Sequence, residues 1–307
     1  MSQQDFAFSG VYAAALTPQS DSGAPDIGLM ASHCRWLLDN GCDGLAILGT
    51  TGEANSFSVD ERIAILDGLA EAGIPGETLI PGTGACALPD AVAVTRAALR
   101  NGAAGVLMLP PFYYKSPSDD GLFAAYSEII QTVGDETLKI CLYHFPQMSG
   151  VPIPYSLIER LLKEYPDTVV GMKDSSGDVD NMIGAAKNFP GFAVFAGSDE
   201  LLLPLIEAGG AGCITACANV GASLAGDVYR GWKNGDDVQA RNETLVAVRD
   251  TIMEFPLSTA LKTLMARHSG NDDWLNIRPP LMRMSDPDRE TLIKAFDAIG
   301  FPIPPVT

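Results

Sequence analysis

The sequence predicts a TIM-type (β/α)8 barrel, an α/β fold, followed by a C-terminal helical appendage. Short apolar runs alternate with amphipathic stretches, and eight such pairs occur before residue 233. The apolar runs are nearly continuous, which is typical of parallel strands that are covered on both faces. A doubly wound open sheet is the alternative. The count of eight weighs against it, as does the lack of a Gly-x-Gly-x-x-Gly turn after the first run.

The predicted elements follow one another in a regular order. The strands are Val11–Leu16, Gly44–Leu48, Thr78–Pro81, Gly105–Leu109, Leu138–Tyr143, Val169–Lys173, Ala193–Ala196 and Gly212–Thr215. The helices between and after them are Ile27–Asn40, Val59–Ala72, Asp90–Asn101, Gly121–Val133, Tyr155–Tyr165, Val179–Asn188, Glu200–Ala208 and Asn219–Trp232. Three more helices are predicted at the C-terminal end, namely Val238–Phe255, Leu257–His268 and Asp288–Ile299. We therefore expect a catalytic barrel domain over residues 1–232 and an α-helical extension packed on it over residues 233–307.

Composition limits the classes of function. The chain has 307 residues, of which 47% are hydrophobic and 19% are charged, so a large core is possible. No apolar run reaches the length of a membrane span, and the polar N-terminus lacks the features of a signal peptide. The formal net charge of −18 argues against nucleic acid or anionic membranes as partners. We expect a cytoplasmic protein with a small-molecule substrate.

The six cysteines include no Cys-x-x-Cys pair. Most of them lie in apolar surroundings, which favours buried free thiols in a reducing compartment. Cys213 and Cys217 have the spacing of possible metal ligands, but no histidine is near them in the sequence. A zinc site is therefore not predicted.

Lys173 is the residue that most clearly indicates chemistry. An apolar run, Val169-Val170-Gly171-Met172, leads directly into it, and a Ser-Ser-Gly turn follows Asp174. A lysine at the end of a buried strand must be desolvated or paired, which costs free energy. Desolvation also favours the neutral amine, whose lone pair can attack a carbonyl carbon. The alternative is an ordinary surface pair between Lys173 and Asp174.

Other polar groups are predicted at the same ends of neighbouring strands, where a barrel of this type has its active site. Strand five ends in Tyr143. The segments that follow strands two, four and seven are, in that order, Gly49-Thr50-Thr51-Gly52-Glu53, Pro110-Pro111-Phe112-Tyr113-Tyr114-Lys115 and Gly197-Ser198-Asp199-Glu200. Singly, these could be a tight turn, a core aromatic or favourable charge at a helix N-terminus. Together they predict an amine, a phenol, hydroxyls and an anion-binding turn around one site.

These residues carry a resemblance to a known family. From Val11 to about Pro302, the chain resembles the dihydrodipicolinate synthase / N-acetylneuraminate lyase family of pyruvate-dependent class I aldolases. The motifs are Gly49-Thr50-Thr51-Gly52-Glu53, Tyr143-His144-Phe145-Pro146-x-x-x-Gly150 and Gly171-Met172-Lys173-Asp174. The resemblance implies that Lys173 forms a Schiff base with a 2-oxo acid and that Tyr143 acts as the general acid and base.

The same resemblance implies roles for further residues. Thr50 would link Tyr143 to Tyr114 in a proton relay, and in this family the relay tyrosine comes from a neighbouring subunit. Thr51 and the backbone near Gly49 would hold the substrate carboxylate. Gly197 and Ile214 would line the pyruvate pocket. Asp199 and Glu200 would bind the sugar hydroxyls. A homotetramer built of two dimers is implied, and no metal or organic cofactor is needed.

The branch of the family is set by the second substrate. Dihydrodipicolinate synthases have an arginine where this chain has Met148, and methionine cannot pair with the far carboxylate of aspartate semialdehyde. Lys115 is the nearby candidate for a compensating cation.

Asp199-Glu200 resembles the sugar-binding pair of N-acetylneuraminate lyases, although Ala216 replaces their serine. The segments Pro110-Pro111-Phe112-Tyr113-Tyr114-Lys115 and Arg278-Pro279-Pro280-Leu281 resemble members that act on 2-keto-3-deoxy sugar acids or related 4-hydroxy-2-oxo acids. We therefore expect a lyase that forms pyruvate from a hydroxylated 2-oxo acid. The alternatives are a dehydratase of such an acid and 4-hydroxy-tetrahydrodipicolinate synthase.

Overall fold

The computed structural model describes residues 6–306 of the chain. These residues form two compact units. The first comprises Pro75–Ile214 together with the N-terminal residues up to Ser9, and the second comprises Gly10–Ile74 and the chain from Thr215 onward. The predicted division into residues 1–232 and 233–307 remains a prediction.

Strands and helices alternate through the described residues. The strands are β1 (Gly10–Ala13), β2 (Gly44–Leu45), β3 (Val106–Met108), β4 (Ile140–His144), β5 (Val169–Asp174), β6 (Ala193–Ala196) and β7 (Gly212–Thr215). The α-helices are α1 (Ile27–Asp39), α2 (Val59–Glu71), α3 (Leu88–Arg100), α4 (Asp119–Val133), α5 (Pro146–Ser149), α6 (Tyr155–Glu164), α7 (Val179–Asn188), α8 (Leu202–Glu207), α9 (Ala218–Asn234), α10 (Gln239–Met253), α11 (Leu257–Ser269) and α12 (Asp286–Ile299).

The sheet of the first unit is parallel and follows chain order, β3-β4-β5-β6-β7. Apart from Val170, every residue of these five strands is buried. Burial on both faces explains the continuous apolar runs in the sequence. Two helices of the first unit, α4 and α7, begin at polar caps: Ser118 and Asp178 accept hydrogen bonds from backbone N–H groups of these helices.

One predicted strand of the first unit, Thr78–Pro81, is wrong. Gly76–Thr78 forms a turn of 3-10 helix, and the chain beyond it joins β3 through a single parallel bridge, Gly82 to Leu107. Two backbone hydrogen bonds accompany that bridge, from Leu107 N–H to Pro81 O (2.9 Å) and from Thr83 N–H to Leu107 O (3.0 Å). Because proline has no N–H to donate, Pro81 limits the ladder that this segment can form.

In the second unit, β1 pairs with β2 in parallel register, Tyr12 with Gly44 and Ala13 with Leu45. Both strands end earlier than predicted. Beyond β1, the side-chain amide of Asn219 forms hydrogen bonds with the backbone. Its Nδ2 donates to Ala14 O (2.9 Å), and its Oδ1 accepts from Leu16 N–H (2.9 Å). The amide of Asn219 thus occupies backbone groups that a longer strand would use in its ladder.

The three predicted C-terminal helices are present as α10, α11 and α12, and they belong to the second unit. Their inner faces share a hydrophobic core with Leu16 and Val220, and residues such as Leu261, Trp274 and Phe296 are buried in it. No helix within residues 6–306 is both long and apolar enough to cross a membrane. All six cysteines are free thiols, and Cys86 alone among them is exposed.

Candidate active site

Lys173 and Tyr143 lie side by side in the first unit. They are register partners on the adjacent strands β5 and β4, and the two residues are 5% and 4% exposed. The Nζ atom of Lys173 lies 4.5 Å from the centroid of the Tyr143 ring, a cation–π distance. The Tyr143 ring in turn stacks on Phe145 at 5.8 Å between centroids. The sheet therefore places a buried amine against a phenol.

Asp174 does not pair with Lys173. Successive side chains of a strand point to opposite faces of the sheet, so Lys173 and Asp174 diverge. The Asp174 carboxylate is fully buried and accepts hydrogen bonds from Ser176 N–H (2.7 Å) and from Asn181 Nδ2 (2.6 Å). This arrangement rules out the alternative of a surface pair. Among the described residues of the first unit, the Lys173 ammonium makes no side-chain hydrogen bond or ion pair.

His144 follows Tyr143 in β4 and is the register partner of Asp174 in β5. Its Nδ1 accepts a hydrogen bond from Ile153 N–H (3.0 Å), which places the proton of the neutral ring on Nε2. Burial lowers the pKa of His144, while the carboxylates of Asp174 and Asp178 act in the opposite direction. His144 therefore anchors the chain after β4 as a neutral ring.

The ends of β6 and β7 carry the other predicted residues of the first unit. Gly197 N–H donates to Asp174 O (2.7 Å), and a Cβ at Gly197 would lie 2.6 Å from that oxygen, so the close approach requires glycine. The Asp199 side chain is buried, and Glu200 accepts a hydrogen bond from the Ser198 hydroxyl. Ile214 is fully buried in β7. The polar pair thus lies at the same strand ends as Lys173, since these strands run parallel.

The loops after β3 and β4 contain the predicted relay and specificity residues. Tyr113 and Tyr114 are 73% and 78% exposed, and Met148 is 62% exposed. Lys115, the candidate compensating cation, donates to the carbonyl oxygens of Phe112 and Ser149 (2.7 Å to Ser149). Its ammonium therefore ties the loop of the two tyrosines to the α5 turn that carries Met148.

The second unit contains the predicted carboxylate-binding turn. Gly49 and Thr50 are partly exposed, whereas Thr51 and Gly52 are buried. Backbone hydrogen bonds close the turn, from Glu53 N–H to Thr50 O and from Ala54 N–H to Gly49 O (both 3.1 Å). These two hydrogen bonds fix the backbone of the Gly49–Glu53 turn.

Sequence reasoning assigned no structural role to two groups of polar residues in the second unit. Glu53, quoted in the turn motif without a role, forms an ion pair with Lys262 of α11, and both side chains are essentially inaccessible. Burial lowers the pKa of Lys262, and the Glu53 carboxylate opposes that shift. The pair joins residues far apart in the chain, so no local pattern could have revealed it. A lysine among the apolar residues of α11 was the available signal.

Arg278, the second group, has a structural role. Its guanidinium binds both carboxylate oxygens of Glu61 at 2.5 and 3.1 Å and donates to Gly23 O and Ser56 O. Arg278 and, next, the Ser58 N–H hold the pKa of Glu61 at about 2. The Arg278 guanidinium is thus hydrogen-bonded to other groups of the protein.

Comparison with known proteins places these features in context. A model of the dihydrodipicolinate synthetase family matches residues 7–299. An uncharacterised DapA-like lyase of Chloroflexus aurantiacus is 35% identical over 291 residues, which are 94% of this chain and 96% of that protein. The 4-hydroxy-tetrahydrodipicolinate synthase of a Neisseria meningitidis strain is 30% identical over 294 residues, which are 95% of this chain and 98% of the synthase.

Solved structures give the same result for the fold. The crystal structure of dihydrodipicolinate synthase from Agrobacterium tumefaciens superimposes with a TM-score of 0.87 at 33% identity, covering 94% of this chain and 99% of that one. A prophage protein of Escherichia coli, solved with pyruvate, superimposes with a TM-score of 0.86 at 23% identity, covering 95% of this chain and 99% of that one. These likenesses confirm the predicted fold class, a (β/α)8 barrel with a helical C-terminal region.

Proposed function

The chain belongs to the dihydrodipicolinate synthetase family of class I aldolases and lyases, and on that premise we propose that it cleaves a hydroxylated 2-oxo acid, such as a 2-keto-3-deoxy sugar acid, to pyruvate and an aldehyde. The observation that carries this proposal is the buried amine of Lys173, 4.5 Å from the Tyr143 ring centroid. An amine in such surroundings is suited to nucleophilic attack on a ketone.

The proposed reaction begins at Lys173. Its amine adds to the C2 ketone, and loss of water leaves a protonated imine. The imine accepts the electron pair of the C3–C4 bond as that bond breaks, while Tyr143 takes the proton of the C4 hydroxyl and the aldehyde leaves. Protonation of the resulting enamine at C3 and hydrolysis of the imine then release pyruvate and regenerate the amine. The covalent link to substrate takes the place of a cofactor.

Binding roles follow from residue chemistry. Thr51 and the backbone at Gly49 are proposed to hold the substrate carboxylate, and Thr50 to pass protons between Tyr143 and Tyr114. The carboxylates of Asp199 and Glu200 are suited to accept hydrogen bonds from substrate hydroxyls, because carboxylates accept and do not donate. The backbone at Gly197 and Ile214 is proposed to line the pyruvate pocket.

A second candidate is 4-hydroxy-tetrahydrodipicolinate synthase. The relatives that carry this name, at about 30% identity, favour it. Met148 weighs against it, because its exposed thioether offers no charge to the second carboxylate of aspartate semialdehyde. The ammonium of Lys115 does not replace the missing arginine, since it is engaged with two backbone carbonyls.

A substrate panel separates these activities. The protein is incubated with 2-keto-3-deoxy sugar acids, with shorter 4-hydroxy-2-oxo acids, and with pyruvate plus aspartate semialdehyde, and the products are identified by mass spectrometry. We expect pyruvate and an aldehyde from one or more of the hydroxylated acids. A product that keeps every carbon and loses water would make the protein a dehydratase. Turnover of pyruvate plus aspartate semialdehyde, with no turnover of the hydroxylated acids, would favour the synthase.

A further inference from the structure

The Gly49–Glu53 turn is held by a helix of the C-terminal region. Lys262 of α11 forms an ion pair with Glu53, and its Nζ also donates to Asn276 O (2.8 Å). The other carboxylate oxygen of Glu53 accepts from Gln19 Nε2 (3.0 Å). One turn N-terminal to Lys262 on the same helix, the Ser258 hydroxyl reaches Thr51 O at 3.4 Å. All of these residues belong to the second unit.

The backbone of the turn needs external support. Leu48 and Glu53 bracket it with φ values of 55° and 57°, in the left-handed region that residues other than glycine rarely adopt. Such conformations persist only where the surrounding structure holds them. Thr17 Oγ1 donates to Gly52 O (2.8 Å), and a Cβ at Gly52 would lie 2.7 Å from Ala15 O. The turn is therefore fixed by the chain after β1 and by α11.

A buried ion pair is better suited to fixing geometry than to adding stability. The cost of removing both charges from water offsets most of their attraction, whereas the loss of one partner leaves a buried charge without compensation. Here both side chains are withdrawn from solvent, and each has a further polar partner, Gln19 on one side and Asn276 on the other. The carboxylate of Glu53 thus has one well-defined position, two residues after Thr51.

We propose that the Glu53–Lys262 pair positions the turn, so that Thr51 and the backbone at Gly49 bind the substrate carboxylate only while α11 holds Glu53 in place. The inference rests on the proposed function, in which this turn binds the carboxylate of a 2-oxo acid. Glu53 and Lys262 are positioning residues in this account, and the C-terminal helical region becomes part of the substrate-binding machinery.

The test measures pyruvate binding in charge-altered variants. The variants are Glu53→Gln, Lys262→Met and the double variant, in which no buried charge is left without a partner. Arg267→Met is the matched control, since Arg267 lies on the same helix and forms a two-bond ion pair with Asp297 on the surface. For each protein, the fraction trapped by borohydride is measured against pyruvate concentration, below the melting temperature of that protein.

The pyruvate concentration for half-maximal trapping is expected to rise about tenfold or more in Lys262→Met, because misplacement of binding groups by about 1 Å is costly. A smaller rise is expected in Glu53→Gln and in the double variant, and none in Arg267→Met. KM for the cleaved substrate should rise more than kcat falls, which a general loss of stability would not produce. A wild-type half-saturation value in any folded variant of the pair would overturn the inference.

The double variant keeps the test open if the single variants do not fold. Its half-saturation value should still exceed that of the native protein, since neutral Gln and Met side chains do not fix the turn. The native protein separates the two proposals. No adduct in the native protein would remove the proposed function, whereas a native adduct with unchanged variants would remove only the positioning role.

Discussion

At the scale of single residues, the chemistry depends on what surrounds an amine and a phenol. Lys173 and Tyr143 are buried register partners, and the carboxylate next to Lys173 in sequence is occupied by Ser176 and Asn181. Asp174 therefore forms no ion pair with Lys173. The amine lies beside the ring of Tyr143, whose hydroxyl is proposed to exchange protons with a bound substrate.

Removing the hydroxyl of Tyr143 tests its role as proton carrier. Tyr143→Phe keeps the ring that stacks on Phe145 and contacts Lys173, so the fold and the site shape should be retained. We expect kcat to fall by about 10²–10⁴, the usual contribution of general acid–base catalysis. Steady-state kinetics on the cleaved substrate measure this, and a kcat near the native value would exclude Tyr143 as the acid and base.

Met148 provides a residue-scale test of specificity. Met148→Arg places a guanidinium on an exposed position of the α5 turn, where it can form two hydrogen bonds with a carboxylate. We expect condensation of pyruvate with aspartate semialdehyde to increase from a low native level. Met148→Gln, which is polar but uncharged, is the control. Strong native activity with the semialdehyde would refute our interpretation of this position.

At the scale of secondary-structure elements, α1 and α9 meet through a buried polar contact in the second unit. His33 Nε2 lies 2.9 Å from Asn219 Oδ1, and its ring packs against Trp274. Burial lowers the pKa of His33 to about 4, with the Asn219 hydrogen bond acting in the opposite direction. The neutral ring is therefore the form that the fold accommodates.

This contact predicts a pH dependence of stability. The unfolded chain binds a proton to His33 near pH 6.5, whereas the folded chain resists protonation until about pH 4, so stability is lost as the pH falls between these values. The loss attributable to His33 is about 3 kcal/mol over that range. Chemical unfolding of the native protein and of His33→Gln, at matched concentrations, measures it. Parallel stability–pH profiles for the two proteins would contradict the prediction.

The elements also indicate how far sequence reasoning extends. The 3.6-residue pattern located the helices closely, and α7 begins and ends where it was predicted, at Val179 and Asn188. The strand Thr78–Pro81 was wrong because apolar character does not reveal whether a segment can form a ladder past a proline. The Glu53–Lys262 and His33–Asn219 contacts were missed because they join distant segments, and tertiary contacts of this kind leave no periodic signal.

At the scale of the whole molecule, the chain carries a net charge of −18 and exposes two adjacent tyrosines, Tyr113 and Tyr114. Large exposed aromatic side chains often mark association surfaces. We propose that the chain assembles as a homotetramer of two dimers, in which Tyr114 serves the relay of a neighbouring copy. A neighbouring copy would then supply part of each active site.

The two tyrosines form a matched pair for testing this proposal. Tyr114→Phe should lower kcat, because the relay loses a hydroxyl, while Tyr113→Phe should leave kcat unchanged. Neither change should alter the elution volume in size-exclusion chromatography. Activity per chain should also fall when dilution dissociates the assembly. Equal kcat values for the two variants, or full activity in a monomer, would remove Tyr114 from the relay.

The proposed mechanism requires a covalent bond between Lys173 and pyruvate. The decisive measurement is borohydride reduction in the presence of pyruvate, followed by intact-mass analysis and peptide mapping of the native protein and of Lys173→Ala. We expect one reduced pyruvate adduct per chain, located on the peptide that contains Lys173, and no adduct in a folded Lys173→Ala variant. An adduct on a different lysine, or none in the native protein, would contradict the Schiff-base mechanism.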